Sequence, residues 1–98
     1  MENVIETKGF RFAIRVVNLY KHLRAEQKEY ILSKQLLRSG TSIGANAAEA
    51  QQAQSRADFI SKRSIALKET TETKYWYRLS GLAEIHNFQL GGSYGNLL

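Results

Sequence analysis

The sequence predicts an all-α protein, a bundle of antiparallel helices, and three observations predict it. The chain of 98 residues contains no proline, the residue that helix interiors exclude and loop-rich folds use. Apolar residues recur at helical spacing over three stretches, about 8–25, 29–53 and 56–83. Within RSGTSIGANAAEA, Arg38 to Ala50, the residues Gly40, Gly44 and Ala48 stand four apart with Ala47 beside them. A helix of that composition carries a ridge almost without side chains, which another helix can approach closely. Glycine inside a helix costs about 1 kcal/mol relative to alanine. Two glycines in one turn therefore call for either a tight contact or a break, and Gly40, Gly44, Ala47 and Ala48 are the predicted packing residues.

The length fits a single helical-bundle domain over 1–98. The chain has no cysteine, which excludes disulfides and thiolate metal sites and makes the cytoplasm the expected compartment. No apolar run approaches the ~20 residues that span a bilayer, and MENVIETK lacks the basic start of a signal peptide. No membrane partner is expected. Fourteen Lys and Arg against nine Asp and Glu give a net charge of +5. That balance suits attraction to anionic polymers, although charge alone specifies no partner.

In the first helix Lys8, Arg11, Arg15, Asn18 and His22 fall within an arc of roughly 80° at about 100° per residue. Phe10, Phe12, Ala13, Ile14, Val16, Val17, Leu19, Tyr20 and Leu23 take most of the remaining circumference. An ordinary surface helix hides a stripe of about 100°, so this one asks for cover on both sides, and packing against another subunit is the favoured source. Thr7 is the expected N-cap, and Gly9 weakens the first turn. Residues 25–29, AEQKE, are polar on every face and predict a short connection.

The second helix carries a seam of Leu32, Leu36, Ser39, Ile43, Ala47 and Ala50 in steps of three and four. The glycine ridge lies beside that seam, with Lys34, Arg38, Ala45 and Glu49 on the other side, so one neighbour fits the seam and another the ridge. Ser55 to Asp58 resembles a capping box with Asp in place of Glu. The third helix then places Phe59, Ala66, Thr70 and Tyr77 on one strip with Ile60 and Leu67 alongside. Ile65, Trp76 and Ala83 lie on a second side, and Tyr75, Leu79 and Leu82 on a third. Thr70, Thr71 and Thr73 are weak helix formers, so packing must hold that stretch. Residues 86–98, with Gly91, Gly92 and Gly95, predict an irregular tail.

Chemistry is sparse. Gly40 and Gly44 are too close, and lack a following Lys, for a phosphate loop. His22 and His86 do not fall at the Glu-x-x-His spacing of bundle metal centres. Glu49, Glu69 and Glu72 read instead as partners of Lys or Arg on neighbouring helices. Ser39, Ser42 and Ser64 read as small packing residues or backbone-bonded hydroxyls. No enzyme activity, cofactor or metal is expected. The candidate nucleic-acid-binding residues are Lys8, Arg11 and Arg15 on the first helix and Arg56, Lys62 and Arg63 at the start of the third. Tyr20, Tyr30, Tyr75 and Trp76 are assigned to the interior.

The run EYILSKQLLRSGTSIGANAAEAQQAQSRADFISKRSIALKETTETKYWYRL resembles the core of a bacterial four-helix-bundle family. That family includes proteins encoded in intervening sequences of large-subunit ribosomal RNA genes, and it is similar to the accessory protein of diversity-generating retroelements. Gln35, Arg38, Ser42, Ile43, Asn46, Glu49, Ala50, Phe59, Ala66, Leu67, Glu69 and Glu72 carry the likeness. The resemblance spans roughly residues 10–82. It implies an up-down antiparallel bundle of the four-helix type, commonly a ring-like pentamer, whose retroelement relatives bind nucleic acid and a reverse transcriptase. Relatives continue into a fourth amphipathic helix, whereas this chain ends in glycine-rich sequence. Three long helices with a short or absent fourth are therefore expected, with apolar surface on the first and third covered by self-association. The expected function is a non-enzymatic, self-associating bundle that binds RNA or DNA through basic surfaces. The alternative is a scaffold for a partner enzyme such as a reverse transcriptase, without direct nucleic-acid contact.

Overall fold

A computed structural model describes residues 4–81, with side chains from Thr7 onward. Three helices follow in order: α1 (Val4–Ala25), α2 (Leu32–Gln51) and α3 (Arg56–Leu79). The central α2 packs against both others. Gly9 faces Gly44 and Val16 faces Gly40, so α1 and α2 run antiparallel. Lys62 meets Glu49 while Arg38 meets Glu69 and Glu72, so α3 is antiparallel to α2 and parallel to α1. The arrangement is up-down-up.

The helix ends follow local chemistry and differ in places from the sequence expectation. Thr7 is not an N-cap, because α1 already begins at Val4 and Thr7 lies inside it. At its far end the Glu26 amide bonds the His22 carbonyl (2.8 Å) and the Glu29 amide bonds the Leu23 carbonyl (2.9 Å). Lys28, at φ 55°, occupies the left-handed region between them, which reverses the chain. α2 therefore starts at Leu32 and not at 29. The Glu29 carboxylate caps it, accepting from the Ser33 amide at 2.8 Å and the Ile31 amide at 3.3 Å. At α3 the Ser55 hydroxyl accepts from the Asp58 amide at 3.0 Å, and the Asp58 carboxylate reaches back to the Gln54 amide at 3.4 Å. That is a capping box whose acid returns one residue before the cap. Gly81, at φ 72°, closes α3, its amide bonding the Arg78 carbonyl at 3.1 Å. Residues 82–83 of the expected third helix and the tail 86–98 lie outside the described residues.

Phe12, Val16, Leu19 and Leu23 line one strip of α1 and meet Leu36 and Ile43 of α2 and Tyr77 of α3, with Trp76 against them. Fully burying such a side chain stabilises by about 1.5–3 kcal/mol. The glycines set the distance between α1 and α2. A Cβ on Gly40 would stand 2.7 Å from both Val16 methyls, and one on Gly44 would stand 2.7 Å from the Gly9 carbonyl oxygen. Gly9, expected to weaken the first turn, is buried inside α1 where backbone meets backbone.

On its other side α2 meets α3 through a small polar core. The Ser39 and Thr73 hydroxyls are buried and 2.9 Å apart, with carbonyls of Gln35 (2.9 Å) and Glu69 (2.7 Å) in reach. Two hydroxyl protons thus satisfy a contact that apolar side chains of the same size could also fill. Thr73→Val is expected to cost about 1–2 kcal/mol, because it leaves the Ser39 oxygen without its cross-helix partner. Adding Ser39→Ala should cost little more. Urea unfolding of the two single variants and the double variant checks this; single costs that simply add within about 0.5 kcal/mol would show that the hydroxyls are not coupled.

Candidate nucleic-acid interface

Lys8, Arg11 and Arg15 all lie exposed on α1, and Arg56 and Arg63 lie exposed on α3. Lys62 is half-buried, its Nζ 3.6 Å from the Glu49 carboxylate. Because α1 and α3 are parallel, both basic groups begin at the end of the bundle where α2 finishes, and Arg15, next to the Val16 that opposes Gly40, reaches its middle. Gly9 opposes Gly44 and Lys62 opposes Glu49. Those α2 positions are five residues apart, which sets Gly9 and Lys62 roughly 7–8 Å apart in height.

Most of the described acids are engaged within the protein. Arg38 bonds Glu69 at 3.4 Å and makes a second ion pair with Glu72, while Gln35 accepts from the same guanidinium at 3.3 and 3.4 Å. Glu72 also accepts from the Trp76 indole N–H at 3.1 Å. Glu49, Glu69 and Glu72 thus pair with cations across the α2–α3 contact, as their sequence context implies. Glu29 and Asp58 cap helices. Among the described acidic side chains only Glu26 has no such role. Ser39 and Ser42 bond the carbonyls of Gln35 and Arg38 one turn back, and Ser64 is exposed.

The aromatic expectation needs correction. Tyr30 and Tyr75 are 48% and 60% exposed, and Tyr20 and Trp76 are only partly covered. Tyr75 lies on the α3 face turned from α2, and Tyr30 sits in the connection between α1 and α2. There the Arg24 guanidinium lies over two rings, 5.3 Å from the Tyr20 centroid and 5.1 Å from that of Tyr30. Sequence reasoning overlooked this cluster. The Tyr20–Arg24 spacing of four was readable on one helix, but Tyr30 arrives only through the left-handed turn at Lys28.

Among the described residues no three His, Cys, Asp or Glu side chains are grouped to hold a metal ion. No described helix is long and apolar enough to cross a membrane. Large apolar side chains nevertheless face outward: Phe10 and Ile14 on α1, and Ile60, Ile65, Leu67 and Leu79 on α3.

Comparison with known proteins adds two findings. The family model described as 23S rRNA-intervening sequence protein matches residues 1–89. A crystal structure of a protein with unknown function from the S23 ribosomal protein family of Bacteroides thetaiotaomicron VPI-5482 is similar at 55% sequence identity and a TM-score of 0.79. That alignment covers 96% of this chain and 84% of the other. No curated protein matches.

Proposed function

This chain belongs to the 23S rRNA-intervening sequence protein family, and from that premise we propose that it is a non-enzymatic, self-associating helical bundle that binds RNA or DNA through its basic surface. The distribution of charge carries the reading. Five of the six acids whose side chains are described engage Arg38, Lys62 or helix ends, while from Lys8 to Arg24 α1 holds five Lys and Arg and no acid. On that helix Lys8, Arg11 and Lys21 are exposed, where phosphates would meet them. Self-association draws on the outward apolar residues. Phe10 and Ile14 lie on the α1 face opposite its core strip, and Ile60 and Leu67 lie along one edge of α3. A second copy would remove them from water.

Binding to mixed-sequence RNA and DNA over a salt series tests the nucleic-acid part. Affinity should fall steeply with salt as phosphate contacts release counterions. The double reversal Arg11→Glu, Arg63→Glu should weaken it by about tenfold or more at moderate salt. Absence of binding at low salt, or affinity indifferent to salt, refutes it. Light scattering reads the assembly: a monomeric mass at micromolar concentration refutes self-association. The same apolar faces also suit a partner protein, the scaffold alternative; a partner recovered with the chain after nuclease treatment, in the absence of nucleic-acid binding, would favour it.

A further inference from the structure

We propose that Arg24, set against the rings of Tyr20 and Tyr30 at the α1–α2 turn, is a phosphate-binding fork for a nucleotide of a bound nucleic acid. The inference rests on the nucleic-acid reading and adds a site at the opposite end of the bundle from Arg56 and Arg63. The guanidinium carbon lies over both rings, 5.3 and 5.1 Å from their centroids. Its hydrogen-bond edge is a different matter: among the described residues Arg24 has no ion pair and no side-chain hydrogen bond. A cation–π contact holds a guanidinium in place without using its N–H donors, so the donors stand ready for a planar or tetrahedral oxyanion. Arg38 shows the contrast, since Glu69, Glu72 and Gln35 already occupy its donors.

The surroundings favour an anion. Lys21 lies three residues before Arg24 on the same helix, and Lys28 and Lys34 are exposed at the same end of the bundle. The nearest acids by sequence are Glu26 and Glu29, and Glu29 is engaged in capping α2. The ring of Tyr30, 48% exposed, distinguishes a nucleotide from an acidic peptide. A nucleotide carries a phosphate and a flat base within one residue's reach, and a half-exposed tyrosine beside a phosphate fork accepts both. A side-chain carboxylate would use the fork and leave the ring idle.

The experiment measures affinity of the full chain for a single-stranded RNA oligonucleotide at fixed salt, with helical content of every variant checked by circular dichroism. Arg24→Lys keeps the charge and removes the planar fork, so affinity should drop about tenfold while the salt slope stays unchanged. Tyr30→Ala, which removes one of the two rings against Arg24, should weaken binding several-fold, and Tyr30→Phe, which keeps the ring, should leave it intact. Wild-type affinity in both Arg24→Lys and Tyr30→Ala, with loss confined to Arg11→Glu, Arg63→Glu, overturns this site and leaves the general reading standing. Wild-type failure to bind any nucleic acid overturns both. Arg24-dependent binding to vesicles containing phosphatidic acid, with none to RNA, overturns the nucleotide assignment in favour of a lipid phosphate.

Discussion

Gly44→Leu lowers the melting temperature by about 10–25 °C, the equivalent of roughly 2–4 kcal/mol in a domain of this size. The expected loss exceeds the usual cost of an overpacked core, about 1–3 kcal/mol, because of what the new side chain meets. Its Cβ alone would stand 2.7 Å from the Gly9 carbonyl oxygen and 3.0 Å from the carbonyl carbon. Those are backbone atoms, and no rotamer change moves them; α1 must shift away from α2 along its length. That shift would also loosen Val16 from Gly40 and thin the core around Phe12 and Ile43. Even Gly44→Ala should be destabilising, although alanine is the better helix former. Thermal unfolding followed by circular dichroism checks both. An unchanged melting temperature for the leucine variant would mean that the two helices do not meet at these glycines.

How far this contact could be read in advance depends on which helix is considered. The ridge of Gly40, Gly44 and Ala48 is a property of local spacing and was legible. Its counterpart Gly9 is a single glycine in another helix, and alone it reads as a weakness of the first turn. Only the antiparallel pairing of α1 with α2 gives it meaning. Thr73 behaves similarly: its poor propensity signalled that packing must hold α3 there, but its partner Ser39 lies 34 residues away. The candidate interface divides along the same line. Complementary charges made the pairing of Glu49, Glu69 and Glu72 readable without knowing their partners. The exposure of Tyr30 and its contact with Arg24 depend on a left-handed Lys28, which no composition rule marks. Lys62 was grouped with its neighbours by sequence, yet its position one step around the helix turns it toward Glu49.

The ion-pair cluster at Arg38 gives the second large effect. Arg38→Met removes the cation that Glu69 and Glu72 share, leaving two carboxylates on successive turns of α3 with side chains only 14% and 30% exposed. Breaking a fully buried pair from one side costs about 3–5 kcal/mol, and an exposed pair is worth at most about 1 kcal/mol. The Arg38 side chain is 50% exposed, so the loss should fall between these limits, at about 2–3 kcal/mol. Most of it would reflect stranded carboxylates, not a lost attraction. The triple variant Arg38→Met, Glu69→Gln, Glu72→Gln should therefore recover much of the stability, because neutral amides at the same positions no longer repel each other and can still accept from the Trp76 indole. Urea unfolding midpoints of the single and triple variants decide the matter. If the triple variant is no more stable than the single, the cluster acts through attraction between α2 and α3, and the repulsion between Glu69 and Glu72 is secondary. Recovery would instead mean that Arg38 chiefly allows two acids to sit where α3 needs them: one within reach of α2, the other holding Trp76 against the core.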